Sequence, residues 1–306
     1  MKIKILIPIY NDWQSAIELL KNIDSNVANL QYNFSVILID DASIDPKPEI
    51  KVDFKNILSI KIITMKENRG HARCNAAGLK YIYENEDFDY VIPMDGDGED
   101  RPEEIKQFIE SLNYYKDKPI VGERIKRSEG IFFKTCYLIH KLLTFTFTGK
   151  SIKFGNYTCL PKSTVQKMIN DKATWSSFSG SLAKIEKDRA IVPSIRGARY
   201  SGPSQMSFKN LIIHSFSIIG VFKVNVFVRS ILFSIIYFFL IYPNLSFITL
   251  IPLIFVILFN IFVFKISRRE NYEEYRNSLK NILSINNLKD MNNSIAQEII
   301  DTLTNN

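Results

Sequence analysis

The sequence predicts an α/β domain with a mostly parallel sheet, followed by two long apolar helices. Apolar strand segments alternate with helical segments over the first two hundred residues, as in strands joined by crossover helices. Several of these strands end in polar residues, at the sheet edge where α/β domains bind ligands. After residue 207 the composition becomes strongly apolar. We therefore expect a ligand-binding domain over residues 1–207 and a membrane-associated region beyond it.

The composition narrows the classes of partner and compartment. The chain has 306 residues and a net charge of +7. A basic balance fits nucleic acid, an anionic membrane surface or phosphate-bearing ligands. Because the positive charge is concentrated near the apolar region and the late loops, we expect no nucleic-acid partner. The three cysteines are widely spaced and odd in number, which favours a reducing compartment.

The elements of the first domain follow from hydrophobic periodicity and local end signals. Asp12 stands where it could cap the first helix, and Pro102 with Glu103 suits the first turn of the third helix. Short strands are also expected at 119–121 and within 149–160, and residues 191–193 lead into a basic loop. The main strands are predicted at 4–9, 34–39, 58–64 and 90–93, and the helices at 13–23, at 72–83 and from 102 onward.

Residues 94–100, here called the acidic turn, directly follow the fourth strand. Asp95 and Asp97 are one residue apart, so both carboxylates can converge on one divalent cation. Hard oxygen ligands suit Mg²⁺ or Mn²⁺. With Glu99 and Asp100 there are four acids in six residues, which would repel one another without a cation. The alternative is a solvated acidic turn; an EF-hand is excluded because its later ligands and closing Glu are missing.

Three polar groups, distant in sequence, fall at the same edge of the predicted sheet. Asp40 and Asp41 end the second strand, Arg73 lies at the start of the second helix, and the acidic turn ends the fourth strand. A nucleotide diphosphate needs such a set: carboxylates for the base and ribose, and a cation with a guanidinium for the phosphates. The clustering therefore predicts a nucleotide site.

The apolar region predicts an interfacial helix and a hairpin of two membrane-spanning helices. Residues 208–223 form an amphipathic pattern that suits a membrane interface, and the lone His214 within it is better explained as structural than as catalytic. Residues 224–242 and 245–264 are each about 20 residues, about 30 Å as helices, which spans a bilayer. A buried hairpin in a soluble core is disfavoured because the second run is so uniformly apolar.

The charges that flank the hairpin predict its orientation. Lys265, Arg268 and Arg269 follow the second span, which places this end in the cytoplasm by the positive-inside rule. A two-span hairpin returns the chain to its starting side, so the first domain is expected in the cytoplasm, at the inner cell membrane. Residues 265–306 form a polar cytoplasmic tail with no readable function.

Five motifs, in order, carry a family resemblance over about the first 220 residues. The chain resembles family 2 glycosyltransferases of the GT-A fold, close to the dolichol- and polyprenyl-phosphate sugar synthases. Two departures leave the acceptor open: Gln205 stands where those synthases usually have Lys, and residues 151–153 lack the acid often found there. The motifs are Ile-Pro-Ile-Tyr-Asn at 7–11, Ile-Asp-Asp-Ala-Ser-Ile-Asp at 39–45, Asn-Arg-Gly-His-Ala-Arg at 68–73, Met-Asp-Gly-Asp-Gly-Glu-Asp-Arg-Pro-Glu at 94–103, and Arg-Tyr-Ser-Gly-Pro-Ser at 199–204.

The resemblance implies a role for each of these residues. It implies that Asp95 and Asp97 hold Mg²⁺ or Mn²⁺ and the diphosphate. Asp97, Glu99 and Asp100 are the candidate catalytic residues; Glu99 and Asp100 could instead only support the metal-binding turn. It also implies a nucleotide-sugar donor and a membrane lipid acceptor such as a polyprenyl phosphate. The product would serve the synthesis of cell-envelope polysaccharide, and the enzyme could form a homo-oligomer. The donor residues would be Pro8, Tyr10, Asp40, Asp41, Arg73 and Asp95, and the acceptor phosphate would meet Arg124, Arg127, Arg199 and Ser204.

The expected reaction is an inverting, metal-dependent transfer of a sugar to a polyprenyl phosphate. An ionised phosphate is already a nucleophile and needs no general base. If the acceptor is instead a hydroxyl, for example on a lipid-linked saccharide, a base is required, and Glu99 or Asp100 is the nearest. A non-catalytic membrane protein that binds nucleotide sugars is disfavoured by the intact Asp95, Asp97 and Arg73.

Overall fold

A computed structural model describes residues 1–50, 53–126, 131–203 and 207–289 and confirms the predicted α/β class. The strands form one eight-stranded mixed sheet in the order β7-β5-β6-β4-β1-β2-β3-β8. They are β1 (Lys2–Ile9), β2 (Asn33–Asp40), β3 (Ser59–Met65), β4 (Tyr90–Pro93), β5 (Ile120–Lys126), β6 (Phe154–Pro161), β7 (Ala190–Ile195) and β8 (Ile282–Lys289).

The centre of the sheet is parallel, and its flanks contain antiparallel pairs. β1 pairs in parallel with β2 and β4, and β2 pairs in parallel with β3. β6 runs antiparallel to β4 and β5, while β8 runs antiparallel to β3 at the edge. Because β1, β2 and β4 are parallel, their carboxyl ends meet at one edge of the sheet. That edge carries the acidic turn.

Helices cover both faces of the sheet. Ile5 and Ile7 of β1 face the helices around Leu19 and Phe108, while Leu6 faces the helix that contains Gly78. A Cβ at Gly78 would lie 2.5 Å from Leu6 Cδ1, so glycine allows this close approach. The helices are α1 (Trp13–Val27), α2 (His71–Asn85), α3 (Ile105–Ser111), α4 (Ile131–Thr148), α5 (Lys162–Ile169), α6 (Phe178–Ile185), α7 (Phe208–Val221), α8 (Lys223–Ile241), α9 (Phe247–Ser267) and α10 (Tyr272–Arg276).

Local details differ from the sequence prediction at three places. Asp12 does occupy the N-cap position of α1, but its side chain makes no capping hydrogen bond and instead contacts Arg199. The short strand predicted at 119–121 extends through Lys126 as β5 because β7 pairs alongside it. Helix α4, which we did not predict, packs with its apolar residues against the later helices: the rings of Phe147 and Phe259 lie 4.4 Å apart.

In the part of the chain that the structure describes, two helices are long and apolar enough, by length and composition, to cross a membrane. The two candidate spans are Lys223–Asn244, which contains α8, and Phe247–Arg276, which contains α9 and continues through α10; most of their apolar side chains face outward. The two helices are joined by a hydrogen bond of 2.8 Å from Asn260 Nδ2 to Ser230 Oγ. Ile219 of α7, Val226 of α8 and Val263 of α9 form a small apolar core. This core packs the start of α8 against the end of α9.

After α9 the chain folds back onto the α/β domain. Tyr275 of α10 is buried and stacks on Trp175, with ring centroids 5.3 Å apart. β8 then pairs with β3 in the main sheet. Up to residue 289 the predicted polar tail is therefore part of the first domain, and residues 290–306 lie outside the described residues. Both ends of the apolar hairpin are thus attached to the same domain.

Candidate active site

The loops after β1 and β2 are joined side by side at the carboxyl edge of the sheet. Asn11 and Ala42 adopt positive φ angles of 49° and 59°, which turn the chain sharply after each strand. The Asn11 side-chain oxygen accepts hydrogen bonds from the amides of Ile44, at 2.8 Å, and Asp45, at 3.2 Å. This bridge holds the Asp40–Asp41 segment beside the end of β1.

The two acids after β2 have different partners. Both carboxylate oxygens of Asp41 accept backbone hydrogen bonds, from Arg69 at 3.0 Å and Gly70 at 2.8 Å. Asp41 therefore fixes the turn that begins α2. Asp40 accepts one hydrogen bond, from the amide of Ser43 at 2.9 Å, through Oδ1. Its second oxygen makes no hydrogen bond to the described residues.

Asp95 lies in a polar cluster with the first residue of α2. Its Oδ1 lies 3.2 Å from His71 Nε2, and Asn156 Nδ2 donates to the same oxygen at 3.2 Å. Asn75 lies 3.1 Å from His71 Nε2 and helps fix the ring. His71 was not among the predicted site residues. Its position between a glycine turn and a helix start, in the motif at 68–73, was the available signal.

The basic loop after β7 lies directly over the acidic turn. Arg199 Nη1 donates to Asp97 Oδ2 at 2.7 Å, and Arg196 pairs with Glu99. A backbone hydrogen bond also joins this loop to the acidic turn, because the amide of Tyr200 donates to the Asp97 carbonyl at 3.0 Å. A Cβ at Gly98, where φ is 87°, would lie 2.5 Å from the Tyr200 ring, so glycine is required there.

Asp100 supports the acidic turn from inside. It is buried, and its Oδ2 accepts a hydrogen bond of 2.9 Å from the amide of Asp95. Arg124 Nη2 lies 3.5 Å from its other oxygen. Asp100 therefore shapes the loop that carries Asp95, and Arg124 compensates part of its charge.

The acids of the turn have opposite electrostatic environments. Burial opposes ionisation of Asp95, but the charges of His71 and Arg124 outweigh it and hold the pKa of Asp95 well below its usual range. Burial, together with the negative charge of Asp95, raises the pKa of Asp97 to about 6 and that of Asp100 to about 7. Negative charge thus exceeds what the neighbouring cationic groups neutralise.

This donor set fits a divalent cation completed by a ligand. Among the described residues, no three His, Cys, Asp or Glu side chains form a ready metal site. Mg²⁺ sites that handle phosphates commonly use one or two carboxylates and take the remaining oxygens from substrate and water. Asp95 and Asp97, with the surplus negative charge around them, match that pattern.

The structure brings most of the predicted site residues together and separates one. Arg73 does not face the acidic turn; its guanidinium lies 5.5 Å from the Trp175 ring and 3.4 Å from Glu274. Pro8 adjoins the turn through its carbonyl, which a Cβ at Gly96 would approach to 2.9 Å. Tyr10 directly follows β1. The predicted acceptor residues Arg127 and Ser204 lie outside the described residues.

Comparison with known sequences identifies a family match over more than half of the chain. The family model "Glycosyl transferase family 2" matches residues 4–175. The chain is 30% identical over 220 residues to an undecaprenyl-phosphate 4-deoxy-4-formamido-L-arabinose transferase of Klebsiella pneumoniae (strain 342). The aligned region covers 69% of this chain and 64% of that protein. The corresponding Salmonella choleraesuis (strain SC-B67) protein is 29% identical over 218 residues, with the same coverage. The chain thus spans about 64% of the length of these relatives.

A solved structure has the same fold at low sequence identity. Glucosyl-3-phosphoglycerate synthase from Mycobacterium tuberculosis, in complex with Mn²⁺, uridine diphosphate and glucosyl-3-phosphoglycerate, superposes with a TM-score of 0.54 at 12% identity. The match covers 73% of this chain and 79% of that one. It supports the α/β fold described above.

Proposed function

This chain belongs to glycosyl transferase family 2, and from that membership we propose that it moves a sugar from a nucleotide-sugar donor to a polyprenyl phosphate in a membrane. One observation carries the proposal: the acidic turn lies at the same sheet edge as Asp40 and Asp41, and α2 joins it to the base of an apolar helix pair. His71 at the start of α2 contacts Asp95, and Arg73 in the same turn pairs with Glu274 of the segment that returns from the hairpin. The reacting phosphates and a lipid head group can therefore meet at this edge.

The donor would be held by the edge formed by β1, β2 and β4. Asp41 uses both oxygens on backbone amides, so Asp40, with an oxygen left over, is the better candidate to accept from the base. Asp95 and Asp97 would hold a divalent cation against the diphosphate. The mycobacterial synthase was crystallised with Mn²⁺, which supports this choice of cofactor. The cation would neutralise the charge that develops on the departing diphosphate.

The acceptor side is supported by the names of the relatives and by the apolar hairpin. An ionised phosphate oxygen would attack the anomeric carbon as its bond to the diphosphate breaks, which inverts the configuration. Arg124 and Arg199 lie at the acidic turn and would orient the incoming phosphate through guanidinium hydrogen bonds. The exposed apolar side chains of α4, including Leu138, Leu142 and Phe145, would rest in the membrane interface beside α7.

Both ends of the hairpin would lie in the cytoplasm, at the cell membrane. β8 pairs with β3, so a chain that crosses the membrane in α8 must return in α9. Lys265, Arg268 and Arg269 then mark the cytoplasmic side. The catalytic domain would share that side with its nucleotide donor.

A hydroxyl acceptor is the second candidate, and one observation favours it. Burial and the charge of Asp95 raise the pKa of Asp100 to about 7, a value that suits a general base at neutral pH. Against it, Asp100 already accepts from the Asp95 amide and pairs with Arg124. Glu99 is likewise paired, with Arg196. Both acids are therefore better placed to support the turn than to take a proton.

The test is a transfer assay with the full chain in membranes. Membranes that contain the wild-type chain are incubated with radiolabelled nucleotide sugars and a polyprenyl phosphate, and the lipid products are separated. Membranes with Asp97→Asn are the matched control. We expect label in an acid-labile lipid-phosphate sugar in the wild-type sample only. Label on a phosphate-free lipid, or none with any donor, would refute the proposed acceptor.

A further inference from the structure

Three arginines outside the acidic turn gather around one glutamate of the returning chain. Arg69 and Arg73 both pair with Glu274 of α10, the latter at 3.4 Å. The indole of Trp175 donates to Glu274 at 2.9 Å and lies beneath the Arg73 guanidinium. Arg269, two residues after α9, lies close enough for the charges of Arg73 and Glu274 to act on it. We call Arg69, Arg73 and Arg269 the arginine cluster.

The arginine cluster has more positive charge than its neighbours neutralise. Among the described carboxylates, only Glu274 and the mostly exposed Glu67 form ion pairs with it. The Nε atoms of all three arginines are buried and without a hydrogen-bond partner in the described part of the chain. Burial, and then the charge of Arg73, lowers the pKa of Arg269, as expected where cations crowd together.

The arginines over the acidic turn differ in this respect. Arg124 pairs with Asp100, Arg196 with Glu99, and Arg199 with both Asp97 and Asp12. Each of these guanidiniums therefore has a carboxylate of its own or more. The arginine cluster instead shares the half-buried Glu274 and the exposed Glu67 among three guanidiniums, so it retains capacity for an anion.

The position of the cluster indicates where that anion comes from. Arg269 follows a helix that we propose crosses the membrane, so it lies at the depth of lipid head groups. Arg73 lies in the same turn of α2 as His71, which contacts Asp95 at 3.2 Å. The cluster therefore lies between the end of the hairpin and the acidic turn. An anion bound there would be a head group at the membrane surface, close to the reacting edge.

We propose that the arginine cluster binds the phosphate monoester of a membrane lipid and, within the proposed function on which this role rests, receives the head group of the acceptor before Arg124 and Arg199 orient it at the acidic turn. Guanidinium groups bind phosphate through parallel hydrogen bonds, and three of them can surround its oxygens. The cluster forms only because residues 270–276 return from the hairpin to α2. The cluster therefore depends on the return of the chain from the hairpin.

The chain offers a matched pair of variants for the test. Arg268 and Arg269 are adjacent and carry the same charge, but Arg268 is exposed and lies over the Phe264 ring, 5.8 Å from its centroid. The full chain in detergent is titrated with dioleoyl phosphatidic acid, with a short polyprenyl phosphate and with the matching polyprenol. Arg269→Gln should weaken both phosphate lipids about tenfold, the loss expected for a hydrogen bond to a charged group, and leave the polyprenol unchanged. Arg268→Gln should leave all three within about twofold of wild type.

Further measurements separate the remaining explanations. Arg269→Lys should lose part of the phosphate affinity while unfolding at the wild-type temperature, because lysine keeps the charge but not the paired hydrogen bonds. Equal effects of Arg269→Gln and Arg268→Gln, or equal loss of polyprenol, would overturn the proposal in favour of a purely structural clamp. Displacement of the lipids by micromolar inorganic phosphate would overturn the lipid assignment.

If wild type binds phosphate lipids through Arg269 but transfers no sugar, the proposed function fails and this inference stands. If transfer occurs while Arg269→Gln binds normally, only this inference fails.

Discussion

Arg199 donates a hydrogen bond of 2.7 Å to Asp97, across 102 residues of sequence, and its other terminal nitrogen contacts Asp12. The guanidinium thus neutralises a carboxylate that we propose to hold the cation. The predicted role of Arg199 is to bind the acceptor phosphate, and that role stays a prediction. A divalent cation that binds Asp97 must therefore compete with Arg199 for the carboxylate.

This competition predicts an effect of Arg199 on cation affinity. Arg199→Gln removes the competing positive charge, so Mn²⁺ should bind about tenfold more tightly in the absence of nucleotide, equivalent to about 1.4 kcal/mol. Calorimetry or electron paramagnetic resonance measures the affinity. Arg196→Gln is the matched control, because Arg196 pairs with Glu99 and not with a proposed ligand. Unchanged or weaker Mn²⁺ binding by Arg199→Gln would contradict the competition.

Asp97→Asn tests the metal assignment through turnover. The substitution keeps the shape of the side chain and removes one negative charge from the proposed cation site. Turnover should fall by about 10²-fold or more, the usual effect of losing one charge-stabilising group at a transition state, while the protein stays folded. Initial rates are measured in saturating Mn²⁺ and Mg²⁺, beside a thermal melt. Rates near wild type in either metal would remove Asp97 from the site.

The acidic turn also predicts how the stability of the metal-free protein depends on pH. Folding raises the pKa of Asp97 from 3.8 to about 6 and that of Asp100 to about 7, chiefly through burial. The folded state therefore binds more protons than the unfolded state between pH 4 and 7, and stability should fall as pH rises through that window. The pKa of His71, raised by Asp95 against the effect of burial, acts in the same direction.

The measurement is a series of melting temperatures from pH 5 to 8 in chelator. We expect a fall of about 5 °C, a typical response to the loss of one or two kcal/mol. Added Mn²⁺ should raise the melting temperature more at pH 8 than at pH 5, because the carboxylates are then ionised. Asp97→Asn should flatten both trends. A melting temperature that rises with pH in chelator would mean that the turn is not the dominant titrating group.

The sequence was sufficient for features that depend on local pattern. Mostly apolar strands such as β2, and the long, mostly apolar α9, have signatures within their own residues. The acidic turn was found because Asp95 and Asp97 follow a strand directly, and strand ends converge in a parallel sheet. These predictions needed no knowledge of distant partners.

Features that depend on distant contacts could not be read in this way. β8 has a weak pattern of its own and forms by pairing with β3, more than 200 residues earlier. Glu274 acquires its role only when α10 reaches α2, where it pairs with Arg73. Asp12 looked like a helix cap, but Arg199 competes successfully for its carboxylate. Each case is a tertiary contact that outweighs a local preference.

The proposed topology predicts the labelling pattern of the hairpin. Residues 223–267 should cross the membrane twice, with Asn244 on the side opposite the catalytic domain. After replacement of Cys74, Cys136 and Cys159, a cysteine placed at Asn244 should react with an impermeant maleimide only from the periplasmic side of sealed vesicles. A cysteine placed at Lys280, in the returning segment, is the control and should react only from the cytoplasmic side. Labelling of both positions from the cytoplasm would reject the spanning hairpin.

Substitution of the two paired acids separates the two acceptor classes. A phosphate acceptor has no proton that must be removed, so neither Glu99 nor Asp100 is needed as a base. Glu99→Gln should then slow transfer only a few-fold, by loosening Arg196. Asp100→Asn should act similarly, since the asparagine oxygen can still accept from the Asp95 amide. Rates are measured over a range of acceptor concentrations and from pH 5 to 9.

A hydroxyl acceptor predicts the opposite result. One of the two substitutions would lower the rate by about 10² to 10⁴-fold, the usual contribution of a general base, and would remove the lower limb of the pH profile. That outcome would assign the base to that residue and replace the polyprenyl phosphate with a hydroxyl-bearing lipid.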